Sequence, residues 1–134
     1  MKLLLDTHIL LWTLSDDVQL PEKVRKLLEN EENEVYYSLV SLWELQIKFL
    51  AHPGQMDFTA KQVADHCSES GFYRLPIREE HIFCLQYLKR PESAPAHKDP
   101  FDRLLICQAM EENMLFITHD HLIPDYNEPC IYSV

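Results

Sequence analysis

Short apolar runs that read as β-strands alternate with helical stretches along almost the whole of this chain, and that alternation is its strongest constraint. Strands joined through helices need right-handed crossovers, which lay them parallel and cover the sheet on both faces. Lys2 to Leu5 reads as a short buried strand, and Thr7 to Leu14 as a helix with Asp6 as its N-cap. Leu20-Pro21-Glu22 opens a second helix with proline at N1 and Val24, Leu27 and Leu28 on one face. The polar run Glu29 to Asn33 ends it, and Val35 to Tyr37 is a second strand. Val40, Trp43, Ile47 and Leu50 are spaced as an apolar helix face, stopped at His52-Pro53-Gly54. A helix from Phe58 to Ser70, stopped by Gly71, leads to a third strand from Phe72 to Pro76. A helix from Glu79 to Lys89 and a proline-containing loop from Arg90 to Lys98 follow. The helix Pro100 to Asn113, the strand Met114 to Thr118, a short turn and a last strand Ile131 to Ser133 complete the chain. The expectation is one α/β domain over residues 1–134, three layers deep, with a central, mostly parallel sheet and helices on both faces.

Four acidic residues fall where this pattern leaves a strand or opens a helix. Asp6 ends the run Leu3-Leu4-Leu5, and Asp120 follows the strand that ends at Thr118. Glu44 lies in the first turns of the helix opened by Ser38-Leu39-Val40-Ser41, and Asp102 begins the apolar helix after Asp99-Pro100-Phe101. In a parallel sheet all four converge at one edge, where ligands of open α/β sheets gather. Each also has a purely structural reading. Asp6 can cap the helix after it, and Asp120 the turn at His121. Glu44 can pair with Lys48 one turn on. Asp99 before Pro100 is an N-cap followed by N1, with Asp102 as the N3 acid. Gathered carboxylates repel and raise one another's pKa. One shared cation accounts for all four together.

Carboxylates without paired His or Cys ligands select Mg²⁺ or Mn²⁺ over Zn²⁺. Such a site can activate water and stabilise charge on a phosphodiester, with Glu44 or Asp120 orienting the water or holding a second ion. His119 and His121, on either side of Asp120, read as surface or substrate-side groups, because neighbouring residues rarely point at one ion. His8 reads equally as a site group or as packing. His97, Lys98 and Arg103 could bind phosphate, although solvated charge is the commoner role.

Several classes drop out. Two glycines leave no phosphate-cradling loop, and no G-x-S-x-G elbow is present. The four cysteines form no C-x-x-C pair and read as buried free thiols. A net charge of −10 argues against broad nucleic-acid binding through a basic face, but bound metal would offset part of it. The apolar stretches are too short to span a membrane, and the opening Met1 to Asp6 is too short and too soon acidic for a secretory signal, so the expected compartment is the cytoplasm.

Leu3-Leu4-Leu5-Asp6-Thr7-His8, Ser41-Leu42-Trp43-Glu44, Asp99-Pro100-Phe101-Asp102-Arg103-Leu104-Leu105-Ile106 and Phe116-Ile117-Thr118-His119-Asp120 together resemble the successive acidic motifs of PIN-domain ribonucleases, in particular the VapC-type toxins of bacterial toxin–antitoxin pairs. The resemblance spans nearly the whole chain. It implies a PIN-like sandwich and a Mg²⁺- or Mn²⁺-dependent endoribonuclease whose catalytic and metal-binding acids are Asp6, Glu44, Asp102 and Asp120. Asp120 is the weakest carry-over, since the fourth position is the least constant. Asp99 would act as a cap or supporting group. It also implies a homodimer restrained by a cognate antitoxin protein, with RNA as substrate. Two other classes compete: a phosphatase of the haloacid-dehalogenase type, which wants an acid where His8 stands, and a noncatalytic domain that keeps the fold and binds a partner.

Overall fold

A computed structural model describes residues 1–134. Its strands are β1 (Lys2–Leu5), β2 (Glu34–Ser38), β3 (Tyr73–Leu75), β4 (Leu115–Thr118) and β5 (Ile131–Ser133). Its helices are α1 (Thr7–Leu14), α2 (Glu22–Glu29), α3 (Leu39–Ala51), α4 (Ala60–Glu69), α5 (Glu79–Cys84) and α6 (Pro100–Glu112). The five strands form one sheet in the order β3-β2-β1-β4-β5, and every neighbouring pair is parallel. The chain steps outward from β1 through β2 to β3, then returns to β4 on the other side of β1. Strand order therefore reverses between β1 and β4, and a crevice opens beyond their carboxyl ends.

The core lies on both faces of the sheet. Leu3, Leu4 and Leu5 are fully buried in the central strand. Alternation sends Leu4 into one apolar cluster, with Leu104, Leu105, Ile106 and Phe116. Leu3 and Leu5 enter the other, with Ile9, Leu10, Val24 and Val63. Each leucine buried this way contributes roughly 2 kcal/mol. A continuous apolar run in β1 is thus the mark of a strand covered on both sides.

Local chemistry shifts several boundaries. Pro21 is the N-cap of α2 rather than its first helical residue. The fourth helix begins at Ala60, not Phe58, because Thr59 and Gln62 form a capping box across the first turn. The fifth ends at Cys84 and tightens into a 3-10 turn, Leu85–Tyr87, well short of Lys89. The turn after β4 is a parallel crossover containing a 3-10 helix, Ile123–Tyr126. Cys67, Cys84 and Cys107 are buried free thiols, while Cys130 is half-buried.

The largest departure is in α3. Trp43, Ile47 and Leu50 are 54%, 43% and 71% exposed, whereas Val40, Ser41, Glu44 and Leu45 face inward. Ser38 ends β2 and caps α3, its side chain accepting from the Val40 amide. With no linker between strand and helix, the end of the strand fixes the helix's rotation, and the polar stripe turns in.

Candidate active site

The crevice at the β1–β4 switch point is a cavity of about 390 Å³ lined by Asp6, Thr7, His8, Glu44, Lys48, Asp99, Asp102, His119, Asp120, His121 and Leu122. All four acids singled out from the sequence line it. A larger groove, about 590 Å³, runs past Met1, Met110, Met114 and Cys130, but Glu128 is its sole carboxylate. Size alone does not mark the chemistry here.

Asp6 follows β1 and caps α1. Its Oδ1 accepts from the Thr7 amide at 2.7 Å, and its Oδ2 from the Thr118 hydroxyl at 2.6 Å. Burial pushes the Asp6 carboxyl up, against the pull of those two bonds, and Glu44 adds to the rise. Glu44 is 4% exposed, with Oε1 accepting from the Thr7 hydroxyl and Oε2 from Lys48, both at 2.7 Å. Thr7 has one hydroxyl proton, so with it given to Glu44 the Ser41 hydroxyl, 2.9 Å away, donates to Thr7. Burial lowers the Lys48 ammonium, but the bond to Glu44 and the charges of Asp99 and Asp102 leave its pKa raised. The Glu44–Lys48 pair read from the sequence is therefore present, as an ion pair at the wall of the crevice.

Asp102 stands at N3 of α6. Asp99 is the N-cap, its Oδ1 accepting from the Phe101 and Asp102 amides at 2.9 and 3.2 Å. Asp102 is pushed up to about 8, by burial first and then by the charges of Asp6, Asp99, Glu44 and Asp120. Asp120 accepts at Oδ1 from the Leu122 amide at 2.9 Å and so caps the turn after β4. Its own amide donates to the Thr118 hydroxyl at 3.1 Å. One threonine thus ties Asp6 to Asp120.

His97 is the residue the sequence undervalued. Its side chain is 4% exposed, not solvated, with Nε2 3.1 Å from Asp102 Oδ2 and Nδ1 2.6 Å from the Tyr126 hydroxyl. Burial lowers its pKa; Asp120 and Asp99 oppose that while Arg90 and Arg103 reinforce it. Ligand-capable atoms of His97, Asp102 and Asp120 lie within 4.8 Å of one another. Arg103 is no phosphate anchor: its guanidinium lies over the Tyr126 ring and donates to the Tyr126 hydroxyl and the Leu85 carbonyl. His8, His119 and His121 are exposed at the rim, and His119 packs edge-on against Trp12.

The donor set suits a hard divalent cation. Oxygen donors dominate it, and Asp102, raised by burial first and by the neighbouring acids after it, is a carboxyl whose ionised form a cation would favour.

A family model described as PIN domain matches residues 3–128. The chain is also similar to two solved structures. A VapBC2 complex from Rickettsia felis bound to a DNA fragment from their promoter is 18% identical with a TM-score of 0.67, over 100% of this chain and 98% of that chain. A toxin–antitoxin complex from Klebsiella pneumoniae is 18% identical with a TM-score of 0.57, over 98% of this chain and 99% of that chain. At that identity the likeness is one of fold. No curated protein matches the chain by sequence.

Proposed function

The chain belongs to the PIN domain family, and from that premise we propose that it is a Mg²⁺- or Mn²⁺-dependent endoribonuclease, the toxin of a toxin–antitoxin pair acting in the cytoplasm. The observation that carries this reading is the gathering of Asp6, Glu44, Asp102 and Asp120 around one crevice. Capping accounts for part of the contacts of Asp6 and Asp120, and pairing with Lys48 for part of those of Glu44, but neither accounts for four acids lining one crevice.

In this reading Asp6, Asp102 and Asp120, with His97 beside them, hold the ion, and Glu44 completes the wall. The bound ion would supply Lewis acidity toward a phosphodiester oxygen and lower the pKa of water. Glu44, fixed at both oxygens by Thr7 and Lys48, orients the attacking water. Lys48 sets a fixed cation at the wall, where phosphate oxygens carry negative charge. Cleavage adds water across a P–O bond: the water oxygen joins phosphorus, and the leaving sugar oxygen takes up a proton.

Partners follow from the same reading. A cognate antitoxin would bring a basic side chain toward the carboxylates. A second copy of the chain would cover the exposed apolar face of α3. The fold neighbours' toxin–antitoxin assemblies and the net charge of −10 support the antitoxin.

The test is cleavage of single-stranded RNA by the purified chain, with Mn²⁺ and then with EDTA. Metal-dependent cleavage is expected. A folded chain that neither binds Mn²⁺ nor cuts any RNA offered would leave the noncatalytic interaction domain as the correct reading.

A further inference from the structure

We propose that His97, seated by Tyr126, is a positioning residue for Asp102: it ties one carboxylate oxygen so that the other is presented to the cation. This rests on the reading of the crevice as a divalent-cation site. The hydrogen-bond directions follow from the donors available. Arg103 Nη1 can only donate, and it reaches the Tyr126 hydroxyl at 3.4 Å. Tyr126 then directs its own proton to His97 Nδ1, at 2.6 Å. The imidazole proton is left on Nε2, aimed at Asp102 Oδ2, at 3.1 Å. Asp102 Oδ1 accepts no hydrogen bond from the protein.

Tyr126 is itself buried and packed. It is 4% exposed, at the end of the 3-10 helix that follows Asp120. Arg90 lies over its ring at 5.3 Å and donates to the Leu122 carbonyl and to Asp125. The relay therefore links the start of α6, which carries Asp102, to the segment that carries Asp120. Asp102 is surrounded by other acids, and an untied carboxylate there would rotate away from them. Hydrogen-bonded partners of this kind orient metal-binding carboxylates, and losing one typically costs about 10–100-fold in metal affinity.

The experiment is Mn²⁺ titration calorimetry on the full chain without RNA, for wild type, His97→Ala, His97→Gln and Tyr126→Phe, each paired with a metal-free melt. His97→Ala should weaken Mn²⁺ binding by about 10–100-fold. His97→Gln, whose amide N–H can replace Nε2–H, should recover most of it. Tyr126→Phe, which keeps the ring and frees the imidazole, should fall between. A purely structural role would instead lower all the melting points and spare the affinity of whichever variants fold. Mn²⁺ binding by His97→Ala as tight as wild type overturns the inference and leaves the nuclease reading standing. Equal losses in His97→Gln and His97→Ala would make the imidazole nitrogen a direct ligand and overturn it too. A wild type that binds no Mn²⁺ overturns both.

Discussion

At Asp102, burial and the charges of Asp6, Asp99, Glu44 and Asp120 oppose ionisation, and the carboxyl that ordinarily titrates near 3.8 is pushed up to about 8. Between those values the folded chain keeps a proton that the unfolded chain has released. Stability from this group is therefore lost as pH rises through the window. His97 acts in the opposite direction below its ordinary 6.5, since burial lowers it. From about pH 6.5 to 8 the metal-free melting temperature should accordingly fall, and Asp102→Asn should flatten the fall and raise the melting point at pH 8. Calorimetric melts in EDTA measure this; a wild-type profile that stays level across the window would refute the strain on Asp102. The same substitution removes a ligand charge while keeping the shape, so Asp102→Asn and Asp6→Asn should each slow RNA cleavage by about a hundredfold or more. Greater stability with lost activity is the signature expected of a functional acid. The four acids were legible in the sequence because each follows a strand or falls in the first turns of a helix. His97 was legible only as a phosphate-binding or solvated group, and Thr7, Thr118 and Tyr126 not as site residues, because a loop imidazole and isolated hydroxyls carry no periodic signal, and tertiary packing alone decides their partners.

The start of α6 separates capping from chemistry. Both acids line the crevice, but Asp99 accepts from two amides of the first turn, as proline at the next position anticipates, while Asp102 one turn on accepts from no amide. Asparagine caps about as well as aspartate, so Asp99→Asn should be nearly neutral in stability, whereas Asp99→Ala should cost about 1 kcal/mol. Both should cut RNA far better than Asp102→Asn. If Asp99→Asn abolishes cleavage and Asp102→Asn does not, the two acids have been assigned in the wrong order. Urea melts and initial cleavage rates on the same preparations decide it. Elements with a strong apolar run or an explicit cap were legible: β1 from its leucines, α6 from Asp99-Pro100, and the end of α4 from Gly71, whose φ is +78°. The rotation of α3 was not. Of its apolar spacing Val40 is buried but Trp43, Ile47 and Leu50 lie outside, because Ser38 joins β2 directly to the helix and turns Glu44 inward. The crossover after β4 was also hidden, since a four-residue 3-10 helix has too few residues to show a period.

At the scale of the whole molecule, a parallel sheet with its strand reversal between β1 and β4 brings acids from residues 6 to 120 into one crevice. The unfolded chain has no such site, so an ion bound there adds its binding free energy to folding. Clustered carboxylates repel, and Mg²⁺ in particular prefers phosphate as a co-ligand, so binding without RNA should be weak. A free Mn²⁺ concentration ten times the dissociation constant contributes about 1.4 kcal/mol. For a domain of this length that raises the melting temperature on the order of 5 °C. The shift should grow with the logarithm of Mn²⁺ concentration, be smaller with Mg²⁺, and vanish in an Asp6→Asn, Asp102→Asn double variant. Nonspecific screening of the −10 net charge makes a different prediction, because monovalent salt of equal ionic strength would then reproduce the shift in wild type and double variant alike. Differential scanning of both proteins across a Mn²⁺ series at fixed ionic strength separates the two. A shift of equal size in wild type and double variant would assign the stabilisation to the acidic surface at large and remove the crevice as its source.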